Sequence, residues 1–134
     1  MRLKISREVL AGIGTAAATA YPEEACGLLF GGEGLIDGWQ EARNVAKKRE
    51  MEFEIDPSSL FAALREERRG GPNMIGYWHS HPNGRPSPSP LDCAAAALDG
   101  KYWLIVTAEG VTAWRAVGNA AGEVAFATVR LESG

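Results

Sequence analysis

The segment Trp78-His79-Ser80-His81-Pro82 holds both histidines of this 134-residue chain, one residue apart. Asp92 follows eleven positions after His81, and Pro82, Pro86, Pro88 and Pro90 lie between them. Two imidazoles and one carboxylate are donors for a divalent metal. With a fourth position left to water they describe a catalytic rather than a structural zinc site. The donor types suit zinc, although manganese, iron and cobalt accept the same set. Such chemistry also needs a group that takes a proton from water. Pro22-Glu23-Glu24-Ala25-Cys26 offers two candidates at the entrance to an apolar run. Desolvation there raises a carboxyl pKa toward a useful value. Spacing alone neither chooses between Glu23 and Glu24 nor connects either of them to the metal.

These donors need rigid supports. Met74 to His81 reads as a strand, on which residues i and i+2 share a face, so His79 and His81 present both imidazoles to one side and Ser80 to the other. Pro82 holds His81 in extended geometry, and the following prolines stiffen the turn. Ser89-Pro90-Leu91-Asp92 opens a helix expected to run through the alanines to Leu98, with Ser89 as cap and Asp92 at the positive end. That is a sufficient structural reason for Asp92. Capping and ligation are nonetheless compatible, since a carboxylate fixed at a helix start is a well-placed ligand.

Elsewhere, Ser6 caps a helix over Arg7 to Thr19, and Asp56-Pro57 starts another that ends near Arg69. Strands are expected at Ala25 to Phe30, Leu35 to Val45, Glu52 to Ile55, Lys101 to Thr107, Val111 to Val117 and Val124 to Leu131. The mixed order indicates an α/β (α+β) fold, one sheet with helices against it. The length points to a single domain over residues 1–134. A net charge of −3 argues against a nucleic-acid or anionic-lipid surface. The basic clusters Lys47 to Arg49 and Arg65 to Arg69 sit among glutamates and read as solvated faces. Neither a secretory leader nor a membrane span is evident, so a cytoplasmic location is expected. Cys26 and Cys93, far apart and outside any Cys-x-x-Cys pair, read as reduced, buried thiols. Cys93 is not expected as a fourth ligand, which would close the site to water.

The run His79-Ser80-His81-Pro82, six residues, Ser89, two residues, Asp92 resembles the His-Ser/Thr-His-Pro-x(6)-Ser-x-x-Asp signature of the JAMM (MPN-plus) metalloproteases at every fixed position. Glu24-Ala25-Cys26-Gly27 resembles the Glu-x-Cys-Gly strand entrance of prokaryotic stand-alone members. The likeness extends through Arg43-Asn44-Val45-Ala46 and Phe53 to Pro57. It implies a curved mixed sheet flanked by helices, like that of the cytidine deaminases. It implies one zinc ion per chain on His79, His81 and Asp92, with Glu24 as general base and later acid, and Ser89 helping to hold the oxyanion. The implied substrate is a ubiquitin-like or sulfur-carrier protein, cut after a C-terminal Gly-Gly, at a peptide or isopeptide bond. Two other readings remain: a non-catalytic MPN-type scaffold, and a peptidase for peptidoglycan or phage-tail peptides. A nucleobase deaminase is disfavoured, because the chain has His-x-His and no Pro-Cys-x-x-Cys.

Overall fold

Burial alternates at the very start of the chain: Leu3 and Ile5 are fully buried while Arg2 and Lys4 are exposed. This strand, β1 (Arg2–Ile5), was not expected from the sequence, because two apolar residues are too short a period-two signal. In the computed structural model, which describes residues 2–134, it proves decisive. It pairs in parallel with both the last strand and the strand that begins at Leu35, closing the sheet on itself.

The other elements, in chain order, are α1 (Arg7–Ala20), β2 (Cys26–Gly32), β3 (Leu35–Ala42), α2 (Pro57–Arg68), β4 (Met74–Ser80), α3 (Pro90–Ala95), β5 (Tyr102–Thr107), β6 (Gly110–Gly118) and β7 (Val124–Ser133). Around the closed sheet the strands run β1-β3-β2-β4-β5-β6-β7. The fold is thus the expected mixed α+β architecture with a curved sheet and helices against it. No helix among the described residues is long and apolar enough to cross a membrane.

The two faces of β4 meet different helices. Trp78 joins Leu29, Leu104, Val106 and the α1 residues Val9, Ile13 and Ala16 in the larger core. The Ser6 side chain accepts the Val9 N–H at 3.2 Å and starts α1 where expected. Tyr77 turns to the other face, toward Leu28 and the α2 residues Leu60, Ala63 and Leu64. His79 follows Tyr77 onto that second face by strand alternation.

Three expectations need correction. Glu52 to Ile55 is not a strand; a single bridge joins Ile55 to Asn44. The strand from Leu35 stops at Ala42, and beyond it the Asn44 side chain takes over partners that a ladder would have supplied. The third helix ends at Ala95 rather than Leu98. The alanines that follow Cys93 lie at or near the surface, and a helix without a packed face has little to stabilise it.

Candidate metal centre

β2 and β4 run antiparallel with Cys26 opposite His79. The pairing continues one step outward: Ser80 N–H donates to the Ala25 carbonyl at 2.9 Å, and Ala25 N–H donates to Ser80 Oγ at 2.8 Å. Glu24 therefore falls opposite His81. Sequence spacing left this connection open; strand register makes it. Glu23, the alternative acid, points outward and meets Arg49 at 3.3 Å. Gly27 is required at this crossing. A Cβ there would collide with the Gln40 carbonyl and the Trp78 indole, and that indole N–H donates to the same carbonyl at 3.1 Å.

The strand carries His79, and the parallel β5 extends the ladder to His81, whose N–H donates to the Val106 carbonyl at 2.9 Å. Asp92 arrives from the start of α3. Ser89 Oγ accepts the Asp92 N–H at 3.0 Å, and Ser89 N–H donates to Asp92 Oδ2 at 2.9 Å, a reciprocal cap with Pro90 in the first turn. The three predicted donors converge. His79 Nε2 and His81 Nε2 lie 3.0 Å apart, and Asp92 Oδ2 is 3.1 Å from the first and 3.0 Å from the second.

Counting protons shows what this triangle lacks. The Arg85 carbonyl, an acceptor only, lies 2.8 Å from His81 Nδ1, so that nitrogen carries the hydrogen. A neutral His81 then aims its Nε2 lone pair at two other electron-rich atoms. One hydrogen on His79 cannot serve three mutual contacts, so the cluster calls for a positive centre. Donors about 2.0–2.1 Å from a tetrahedral zinc stand about 3.3 Å apart, close to what is seen here. The residues fit a divalent ion.

Glu24 stands beside the triangle, 6% exposed. One ligand atom from each of Glu24, His79 and His81 falls within 4.8 Å of the others. Its Oε1 is buried without a hydrogen-bond partner. Burial pushes this carboxyl up from 4.5 to about 7, with His81 opposing and Asp92 and Glu52 adding to the rise. Asp92 behaves oppositely. Burial works against its ionisation, yet the two adjacent imidazoles and the Ser89 N–H hold it well below the usual carboxylate range. Burial lowers His79 toward the neutral form that ligation needs, against its bond to Asp92. For His81 burial is outweighed by Asp92 and the Arg85 carbonyl, so its pKa rises.

Some contributors were not assigned from sequence. Phe53 stacks on the His79 ring, centroids 4.2 Å apart and planes 20° apart. Trp103 meets the same ring edge-on at 5.7 Å. His79 Nδ1 is buried without a polar partner, so at that edge packing rather than a hydrogen bond supports the imidazole. Arg85, in the loop after His81, contributes its carbonyl; no side-chain pattern signals that. Ser89 is spent as an acceptor on the cap, which leaves its hydroxyl hydrogen to donate elsewhere. Cys26 is buried, its thiol pushed up to about 12 by desolvation. Cys93, expected to be buried, is exposed, because α3 turns only Asp92 inward.

The family model described as prokaryotic homologs of the JAB domain matches residues 6–117. A desampylase from Haloferax volcanii is 31% identical over 96 residues, covering 70% of this chain and 69% of that protein. A desampylase from Pyrococcus furiosus is 35% identical over 87 residues, covering 65% and 61%. The chain thus spans about two thirds of the length of these relatives. The solution structure of a protein from Desulfitobacterium hafniense shares the fold, with a TM-score of 0.76 and 23% identity over 98% of this chain and 94% of that one.

Proposed function

Because the chain belongs to the family of prokaryotic homologs of the JAB domain, we propose that it is a zinc-dependent isopeptidase that releases a ubiquitin-like protein from its conjugates. The observation that carries this reading is the triangle of His79 Nε2, His81 Nε2 and Asp92 Oδ2, with an unpartnered buried carboxyl beside it. The substrate class is supported by two relatives named desampylases, enzymes that act on ubiquitin-like conjugates. In this reading the bond cut follows a C-terminal Gly-Gly, on a ubiquitin-like or sulfur-carrier protein.

His79, His81 and Asp92 would hold the ion. When bound, zinc lowers the pKa of a water to about 7 and polarises a carbonyl. The rest falls to the chain itself. Glu24 is placed to accept a proton: its buried carboxyl lies beside the ligands, and burial raises its pKa to about 7 in the metal-free chain. The same carboxyl returns the proton to the departing amine, so no covalent enzyme intermediate is required. Ser89 keeps one hydroxyl hydrogen, which would donate to the oxyanion. Asp92 would bind as an anion, with the Ser89 N–H donating to its Oδ2. Neither cysteine acts as nucleophile.

The test uses the zinc-loaded protein with two kinds of substrate: linear fusions of a ubiquitin-like protein ending in Gly-Gly, and lysine-linked conjugates of the same protein. Mass spectrometry should show cleavage after the second glycine, abolished by a chelator and by Glu24→Gln. Stoichiometric zinc with no cleavage of either kind would refute the proposal and favour a scaffold. Cleavage of peptidoglycan peptides alone would reassign the substrate.

A further inference from the structure

Asn44 lies two residues beyond β3, half buried, outside the metal triangle. Its Nδ2 donates to the carbonyls of Glu24 at 2.9 Å and Glu52 at 3.1 Å. Its Oδ1 accepts from the N–H groups of Ala46 at 3.0 Å and Glu54 at 3.1 Å. An amide side chain has two donor hydrogens and two acceptor lone pairs, so this one is fully used.

The effect is to close residues 44–55 into a strap. Val45 N–H reaches the Glu54 carbonyl at 2.9 Å, and Asp56 N–H reaches the Arg43 carbonyl at 3.0 Å. Two residues of the site depend on that strap. The Arg49 carbonyl accepts the Glu24 N–H at 2.7 Å, while Asn44 holds the Glu24 carbonyl, so both backbone polar groups of Glu24 are tied to it. The sheet does not hold Glu24, since β2 begins only at Cys26. From the far end of the same strap, Phe53 covers the His79 ring.

We infer that Asn44 is a positioning residue: through its side-chain amide it fixes the Glu24 backbone and seats Phe53 on His79, without itself meeting substrate. The inference rests on the reading of Glu24 as proton acceptor. A fully satisfied network specifies one geometry, and a catalytic group displaced by about 1 Å can lose about a hundredfold in rate.

Asn44→Asp isolates the donor half. It keeps the shape and both accepting contacts but turns an oxygen toward the Glu24 and Glu52 carbonyls. In the zinc-loaded protein this variant should lose about tenfold or more in kcat with KM and zinc content nearly unchanged. By hydrogen exchange, its Glu24 amide should open about tenfold faster than in the wild type, while the buried β5 amides of Leu104 and Ile105 keep their protection. A residue that merely stabilised the fold would raise exchange in β5 and at Glu24 together and spare kcat in the folded fraction. That result overturns the inference. Should the variant not fold, the wild type decides: the Asn44 side-chain amide hydrogens must exchange far more slowly than those of a free asparagine, and free-like exchange overturns it. A wild type silent toward every carrier fusion would remove the Glu24 reading instead, and the exchange measurements would still judge Asn44.

Discussion

Replacing Glu24 by glutamine should make the metal-free protein less sensitive to rising pH, by an amount that follows from where the carboxyl sits. Glu24 is 6% exposed and its Oε1 has no partner, so ionisation in the folded state is opposed and its pKa stands at about 7 instead of 4.5. Between those values the unfolded chain has released the proton while the folded one retains it. Rising pH therefore favours unfolding. At about 1.36 kcal/mol for each tenfold, the full effect is about 3 kcal/mol, of which about 2.5 kcal/mol falls between pH 5 and pH 8. Glutamine cannot ionise. It brings its own cost, about 1–3 kcal/mol for an amide buried with poor partners, but that cost is independent of pH and cancels in the comparison. The assay is urea unfolding of chelator-stripped wild type and Glu24→Gln at pH 5 and pH 8. The wild type should lose about 2.5 kcal/mol more than the variant across that interval. Added zinc should shrink the difference, because a neighbouring dication favours the carboxylate. Equal losses in both proteins would mean that Glu24 is not desolvated, and its fitness as a base near neutrality would fall with it.

His81→Ala should lose zinc together with turnover, since it removes the lone pair that the Arg85 carbonyl orients; equimolar zinc by mass spectrometry in that variant would show the ligands to be misassigned. Phe53→Leu should weaken zinc binding by about tenfold in a chelator competition, because the stacked ring supports an imidazole whose Nδ1 has no hydrogen-bond partner. An unchanged affinity would mean that the stacking is incidental. Gly27→Ala should lower the stability to urea by about 1–3 kcal/mol, as a methyl group has no room between the Gln40 carbonyl and the Trp78 indole; an unaltered midpoint would show that β2 and β3 yield freely there.

The local signals proved good guides to individual elements. Ser6, Asp56 and Ser89 each cap the helix they were expected to start, because a cap is a contact between residues two or three apart and is written in their order. The His-x-His alternation likewise placed two imidazoles on one face. Weaker signals misled. Glu52 to Ile55 alternates like a strand, yet its neighbours are the side chain of Asn44 and the ring of His79 rather than a ladder. The alanine run after Cys93 has high helix propensity, but nothing packs on it and the helix stops.

By itself, the order of residues determined which groups could bind a metal, on what local geometry, and that one of two neighbouring acids could serve as base. Spacing left the two acids equal and only the family resemblance pointed to Glu24; what tertiary structure decided is which of them lies beside the histidines. Glu24 meets His81 only because β2 pairs with β4 in one register, and a shift of a single residue would have exchanged the faces. Its raised pKa, the tautomer of His81 and the covering of His79 all depend on atoms far away along the chain. Desolvation and hydrogen bonding act through space, and the distance between two charges in a folded protein is not a property of their separation in sequence.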